Sequence, residues 1–215
     1  MPTKLRRLPS VNRRQPRRLT KRAAGKVATH DRILKSAGAI ARREGLRAAS
    51  VSRVMEGAGL TIGGFYAHFP SKASMDAEVV RSMLGILPGP WLAAPGDGSG
   101  LKWVARALDR YLSTTHRDDP KGCAYPAVMS EVAGAAPDVR RAFAEALEFR
   151  VRTFEAQLPR SGSADARERA LATMALTIGG LLLARAAAGS PISEAILDAC
   201  RNWALPEGTL PSDRR

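Results

Sequence analysis

Acidic residues are missing from the first thirty positions of this 215-residue chain, which hold ten Lys and Arg and no Asp or Glu. Cysteine is nearly absent: Cys123 and Cys200 are the only two, which excludes a disulfide framework and fits a cytosolic setting. Histidine occurs three times, at His30, His68 and His116, in separate segments with no Cys or carboxylate at ligand spacing. No metal site is therefore expected. Long hydrophobic runs are missing too. The most apolar stretch, Leu171 to Ala184, is too short to cross a bilayer and carries two threonines, so a buried helix is expected there and no membrane partner. The basic N-terminus lacks the apolar core of a secretory signal, although its shortage of acids is shared by transit peptides. No strand pattern and no internal repeat appear. No phosphate loop following a strand can then exist, and no nucleophile–base set stands out. Neither catalysis nor a cofactor is expected.

What is present is charge, unevenly placed. The formal net charge is +14; residues 31–81 carry +3 of it and residues 82–215 only +1. A chain so basic at one end has a polyanionic partner there, either nucleic acid or an anionic membrane surface.

The rest of the sequence is helical in period, and the expected fold is all-α. Residues 1–28 read as a disordered basic arm, with prolines at 2, 9 and 16 and little periodicity. Thr29 reads as the cap of a first helix whose inner face is Ile33, Leu34, Ala37, Ile40 and Ala41, with Gly45 as its stop. Ser50 reads as the cap of a short second helix with Val51, Val54, Met55 and Ala58 inside. Gly59 breaks it, and Thr61 reads as the cap of a third. Pro70 closes the third helix and Ser71 caps a fourth, which runs to about Leu84. Leu87 to Gly100, LPGPWLAAPGDGSG, holds three prolines and four glycines and marks a boundary. The expected organisation is thus a head over 29–84, a linker loop over 85–100, a helical body over 101–205 and a tail over 206–215. In the body, helices are expected over Leu101–Thr115, Tyr125–Gly134, Asp138–Leu158, Ala164–Ala188 and Ser193–Ala204.

The stretch LTIGGFYAHFPSK, Leu60 to Lys72, joins two glycines to three aromatics. Glycine in a helix interior costs roughly 1 kcal/mol relative to alanine. Two short helices joined by a Gly-containing turn form a helix-turn-helix, whose second helix enters the major groove of DNA. Phe65 and Phe69 are four apart and share a face, so they anchor the helix in the core, leaving Tyr66 and His68 on other faces.

Extended by two residues, AGLTIGGFYAHFPSK (Ala58 to Lys72) resembles the recognition-helix signature of the tetracycline-repressor family of bacterial transcription regulators. The resemblance covers residues 29–84 well and continues more weakly to about 204, through KGCAYPAVMSEVAG and ALTIGGLLLARAAAGSPISEAILDA. It implies a three-helix DNA-binding head, an effector-binding helical body and a homodimer on a palindromic double-stranded operator. Carried over, Tyr66 and Lys72 match phosphate-binding positions, Thr61 a cap that also touches the backbone, and Gly63 the family's own glycine. Gly64 and Ile62 depart from the usual residues. Gly63 and Gly64 remove side chains that would hold the helix off the duplex, at a helix turn whose free N–H groups can face phosphate. Ile62 and Ala67 are placed to meet thymine methyls. Arg53 is placed for a base or a phosphate, and His68 to reach DNA.

In the body, Trp103, Tyr111, Tyr125, Met129, Phe143 and Met174 are candidate walls of a pocket for a small, mostly apolar effector. Leu176, Gly179, Gly180 and Leu183 are candidate dimer residues, the glycines allowing two copies to approach closely. Cys123, near a helix start and Lys121, is a candidate low-pKa sensor thiol; a small buried core residue is the plainer reading. Alternatives to an effector-released repressor are a sequence-tolerant architectural DNA-binding protein, a thiol-sensing regulator, and an all-α enzyme whose arm serves targeting.

Overall fold

Thr20, rather than Thr29, begins the first helix of the computed structural model, which describes residues 20–84, 99–121, 123–159 and 166–204. The Thr20 hydroxyl accepts the Ala23 N–H, and helix α1 runs Lys21–Glu44. Residues 20–28 therefore belong to a helix and not to an arm. The sequence hid this because the apolar stripe starts only at Ile33: before it, α1 is exposed and held by its own hydrogen bonds and alanines. The remainder of the expected arm, 85–98 of the linker and the tail lie outside the described residues. Gly45 ends α1 as expected, at φ 90°, with its N–H on the Ala41 carbonyl.

Ser50 caps α2 (Val51–Gly57) through the Arg53 N–H. Gly59 turns the chain at φ 65°. The next element differs from expectation: Ile62–Ala67 is a 3-10 helix, and the Thr61 side chain makes no capping bond. Two glycines in succession weaken α-helical propensity, and the tighter turn is sustained by Phe65 and Phe69, both fully buried with rings stacked at 5.5 Å. Ser71 and Ser74 then cap α3 (Lys72–Leu84) reciprocally, each hydroxyl accepting the other's N–H at 3.1 and 3.2 Å. Ile33, Ala37, Met55, Phe65, Phe69 and Met75 fill the head's core.

Helix α3 leaves the head and lies along the body helix α7 (Pro137–Glu155), tying the two parts together. The expected helix over 101–115 is two: α4 (Gly100–Tyr111) stops, and Ser113 caps a single turn, α5 (Thr114–Arg117). Next come α6 (Ala124–Val132), α7, α8 (Ala166–Ala186) and α9 (Pro191–Ala204), the last two packed on each other. Pro137 opens α7 with its φ already helical. By length and composition α8, at 21 residues, is apolar enough to cross a membrane, longer than its apolar run implied. It packs against α7 and α9, and 44% of its apolar window is buried within the protein. The architecture is all-α among the described residues: a helix-turn-helix head on a helical body.

Candidate nucleic-acid interface

The head places its sequence-predicted residues in two groups. Ile62, Gly63, Tyr66 and Ala67 form one exposed face of the 3-10 helix, with Ile62 56% and Tyr66 70% exposed. Large apolar groups are left in water there because the buried Phe65 and Phe69 fix which side of the turn faces inward. A side chain at Gly63 would meet open space, so this glycine is not required by packing. Gly64 is different: a Cβ there would touch Met55 Cε at 3.7 Å, ordinary contact with the core. Thr61 is exposed with its hydroxyl unused in capping.

The other group is already engaged. Arg53 grips Glu44 through two bonds, 2.9 and 3.1 Å, and also donates to the Ala48 carbonyl. The Glu44 carboxyl is held below the usual range by that Arg53 hydrogen bond. Lys72 donates to both Asp76 oxygens, at 2.7 and 2.8 Å, and to the Leu46 carbonyl. Burial pushes the Asp76 carboxyl up while Lys72 pulls it down. His68 turns partly inward, with its Nδ1 buried and unbonded, and its ring lies 6.2 Å from that of His30. Burial pushes the His68 imidazole down, so its neutral form is favoured. His30 stacks on Phe69 at 4.4 Å and meets Glu78 at 2.8 Å. Of the residues placed for DNA by the sequence, Arg53 and Lys72 are thus ion-paired within the head, and His68 is turned partly inward. Beyond these, Lys21, Arg22 and Lys26 are exposed on the first turns of α1, with no acidic neighbour in that turn.

Polar contacts join the head to the body at two places among the described residues. Glu131, in the last turn of α6, accepts the Arg47 N–H at 2.7 Å and enters the space above Gly45. An ion pair, Arg81 to Glu145 at 3.2 Å, links α3 to α7.

In the body, Tyr111 and Met174 are closed into the core, while Trp103, Met129 and Phe143 are half-buried. Tyr111 stands 3.1 Å from the Cys123 sulfur. Burial pushes the Cys123 thiol up, against smaller opposing pulls from Tyr111 and the Tyr125 backbone. Cys123 thus takes the plainer of its two readings, a small buried core residue: the helix start and Lys121 do not outweigh desolvation at 7% exposure. Tyr125 is buried on α6 with its ring edge-on to Phe143 at 6.2 Å.

Along α8 and α9, Leu171, Leu182, Leu183, Ile192 and Trp203 are exposed, Trp203 at 82%. Gly179 is half-exposed beside open space, and Leu176 is half-buried against the core. Gly180 is corrected: it is buried, and a Cβ there would lie 2.6 Å from Cys200 Sγ of the same chain. Its close approach is between α8 and α9, not between copies.

Sequence reasoning missed Glu44, Asp76, Glu131 and Arg150. The Lys72–Asp76 spacing of four on one helix face was a readable signal. Arg150, eleven residues beyond Val139 on the apolar stripe of α7, was readable as a buried charge. Glu131 was not, since 84 residues separate it from Arg47.

Residues 33–79 match the family described as bacterial regulatory proteins, tetR family. A stretch of 85 residues is 32% identical to the HTH-type transcriptional repressor KstR2 of Rhodococcus jostii (strain RHA1), covering 40% of this chain and 42% of that protein. The chain thus matches less than half the length of this curated relative. Among solved structures, the reduced form of NemR from E. coli is similar at a TM-score of 0.70 and 18% identity, over 81% of this chain and 96% of that one. A transcriptional regulator from Rhodococcus sp. Rha1 is similar at 0.61 and 24% identity, over 81% and 95%. At these identities the structural likeness is one of fold.

Proposed function

We propose that this chain, which belongs to the tetR family of bacterial regulatory proteins, is a dimeric DNA-binding transcription repressor that a small molecule releases from a palindromic operator. The observation that carries this reading is the exposed Ile62–Gly63–Tyr66–Ala67 face, held outward by the buried Phe65 and Phe69. A tyrosine hydroxyl there donates to phosphate, and small or apolar neighbours let the turn sink into the major groove and touch thymine methyls. Thr61 and the first N–H groups of the turn add phosphate contacts. Lys72 and Arg53 join only by exchanging Asp76 and Glu44 for phosphate, so their contribution is smaller than that of free cations. The exposed basic turns of α1 supply sequence-independent affinity.

Dimerisation fits the exposed apolar face of α8 and α9. Burying a Leu, Ile or Trp there contributes on the order of 1.5–3 kcal/mol each, and a two-fold contact brings the same patch from both copies. Release fits the joint at Glu131: a ligand that displaces α6 pulls on the loop leading into α2, changing the spacing of the two recognition turns. The buried, poorly acidic Cys123 does not favour thiol sensing.

The test is operator affinity across base variants. Tyr66→Phe should weaken binding evenly over all variants, whereas Ile62→Ala should change which base is preferred, by ~1 kcal/mol. Even weakening by both would favour the sequence-tolerant architectural reading, since the face offers few groups able to bond a base edge.

A further inference from the structure

Two buried side chains in the body face each other from adjacent helices and share one chemical property: both can donate a hydrogen bond. Tyr125, on the first turn of α6, is 3% exposed, and its hydroxyl proton finds no acceptor. Arg150, on α7, is 4% exposed and close enough for its charge to act on that phenol. Burial pushes the Tyr125 phenol up to about 12, so at neutral pH it keeps its proton and remains a donor. Arginine only donates; its five N–H groups serve more than one acceptor, so contacts it already makes leave room for another. A buried hydroxyl proton without an acceptor costs roughly 1–3 kcal/mol, and hydrogen bonds from a guanidinium or a hydroxyl are stronger to a charged oxygen than to a neutral one. The complementary group is therefore an oxyanion.

The surroundings fix the rest of the ligand. Met129 lies four residues after Tyr125, and Phe143 seven before Arg150, so each shares a helix face with one donor. Both are half-buried, and Phe143 touches Tyr125 edge-on. We propose that Tyr125 and Arg150 form an anion-binding subsite, and that the effector is an organic acid whose carboxylate seats between them while its apolar part lies against Met129 and Phe143. This rests on the effector reading above and narrows its ligand class. It also gives α6 a mechanical role. The subsite is at its first turn, and Glu131, which holds the Arg47 N–H of the head, is at its last.

The experiment uses the full chain and four matched sets: hexanoate, decanoate, phenylacetate and cyclohexanecarboxylate, each beside its primary amide, with acetate as the anion lacking an apolar part. Thermal shift reports binding, and fluorescence anisotropy of labelled operator reports release. At least one acid should bind tenfold or more tightly than its amide and more tightly than acetate. That preference should vanish in Arg150→Gln and fall several-fold in Tyr125→Phe, which removes one oxygen and keeps the test available should Arg150→Gln not fold. Equal binding of acid and amide, no shift with any of the four acids, or a preference unchanged in the variants overturns the subsite. Acetate binding as tightly as the larger acids overturns the apolar half of the proposal. Release by an amide but by no acid leaves the effector reading standing and removes this inference. Preferential acid binding without release keeps the subsite and removes the effector reading.

Discussion

Replacing Gly45 by alanine perturbs the joint between head and body in two separable ways. Gly45 has φ 90° and ψ 166°, a region that only glycine occupies without strain. Forcing alanine into it costs ~1–3 kcal/mol. The new Cβ would also fall 1.9 Å from Oε1 of Glu131, so the carboxylate must swing away from the Arg47 N–H that it accepts at 2.7 Å. Glu131 is 20% exposed, so that charged hydrogen bond is taken at the lower end of its class, about 1.5 kcal/mol. Gly45→Ala should then destabilise by about 2.5–4.5 kcal/mol, lowering Tm by roughly 5–18 °C for a chain of this size. The two parts separate in a double-variant cycle with Glu131→Ala. In that background only backbone strain remains, and Gly45→Ala should cost about 1.5 kcal/mol less. The assay is denaturant unfolding at one fixed protein concentration, since the stability of the proposed dimer depends on concentration. An equal cost in both backgrounds would show that Glu131 does not occupy this joint. A cost under about 0.5 kcal/mol would refute the backbone argument as well.

Removing the exposed α1 cations by Lys21→Ala, Arg22→Ala and Lys26→Ala together should weaken binding to all DNA and reduce the slope of log affinity against log salt by about 2–3; an unchanged slope removes these turns from the interface. Leu183→Glu with Trp203→Glu should yield a folded monomer in sedimentation, whereas Gly180→Leu should fail to fold, because its side chain meets Cys200. A folded Gly180→Leu dimer would contradict that packing. Burial pushes the His116 imidazole down to about 4. The unfolded chain then binds more protons between that value and the ordinary ~6.5, so stability is full at neutral pH, falls through this window and levels off below it. The loss approaches ~3 kcal/mol by linkage and should be absent in His116→Gln, measured at pH 7.5 and 4.5; an equal loss in both proteins places the titration elsewhere.

The readable parts of this fold were those written in local chemistry. Ser50, Gly45, Gly59 and the Ser71 start of α3 all sit where capping and φ demands put them, and Phe65 with Phe69 anchors the turn from inside. The start of α1 was missed because an exposed helix needs no apolar stripe. The 3-10 form was missed because Thr61 has the residue type of a cap without making its bond. At the site, exposure followed helical spacing for Ile62 and Tyr66. The engagement of Arg53 by Glu44 crosses a turn, and that of Arg47 by Glu131 crosses from head to body, so neither has a periodic signature. Gly180 misled for a related reason: a glycine on an apolar helix marks close approach, and sequence does not say to which chain.

Selection of bound duplexes from a random DNA pool by the purified full chain, in the presence of excess competitor, shows whether the Ile62–Tyr66 face reads sequence as a two-fold dimer. A palindrome bound by two copies should be enriched, on the order of a thousandfold tighter than competitor DNA at physiological salt, with the enriched bases at the Ile62 positions changed by Ile62→Ala. A pool that stays unenriched, or a preferred site lacking two-fold symmetry, would contradict this expectation.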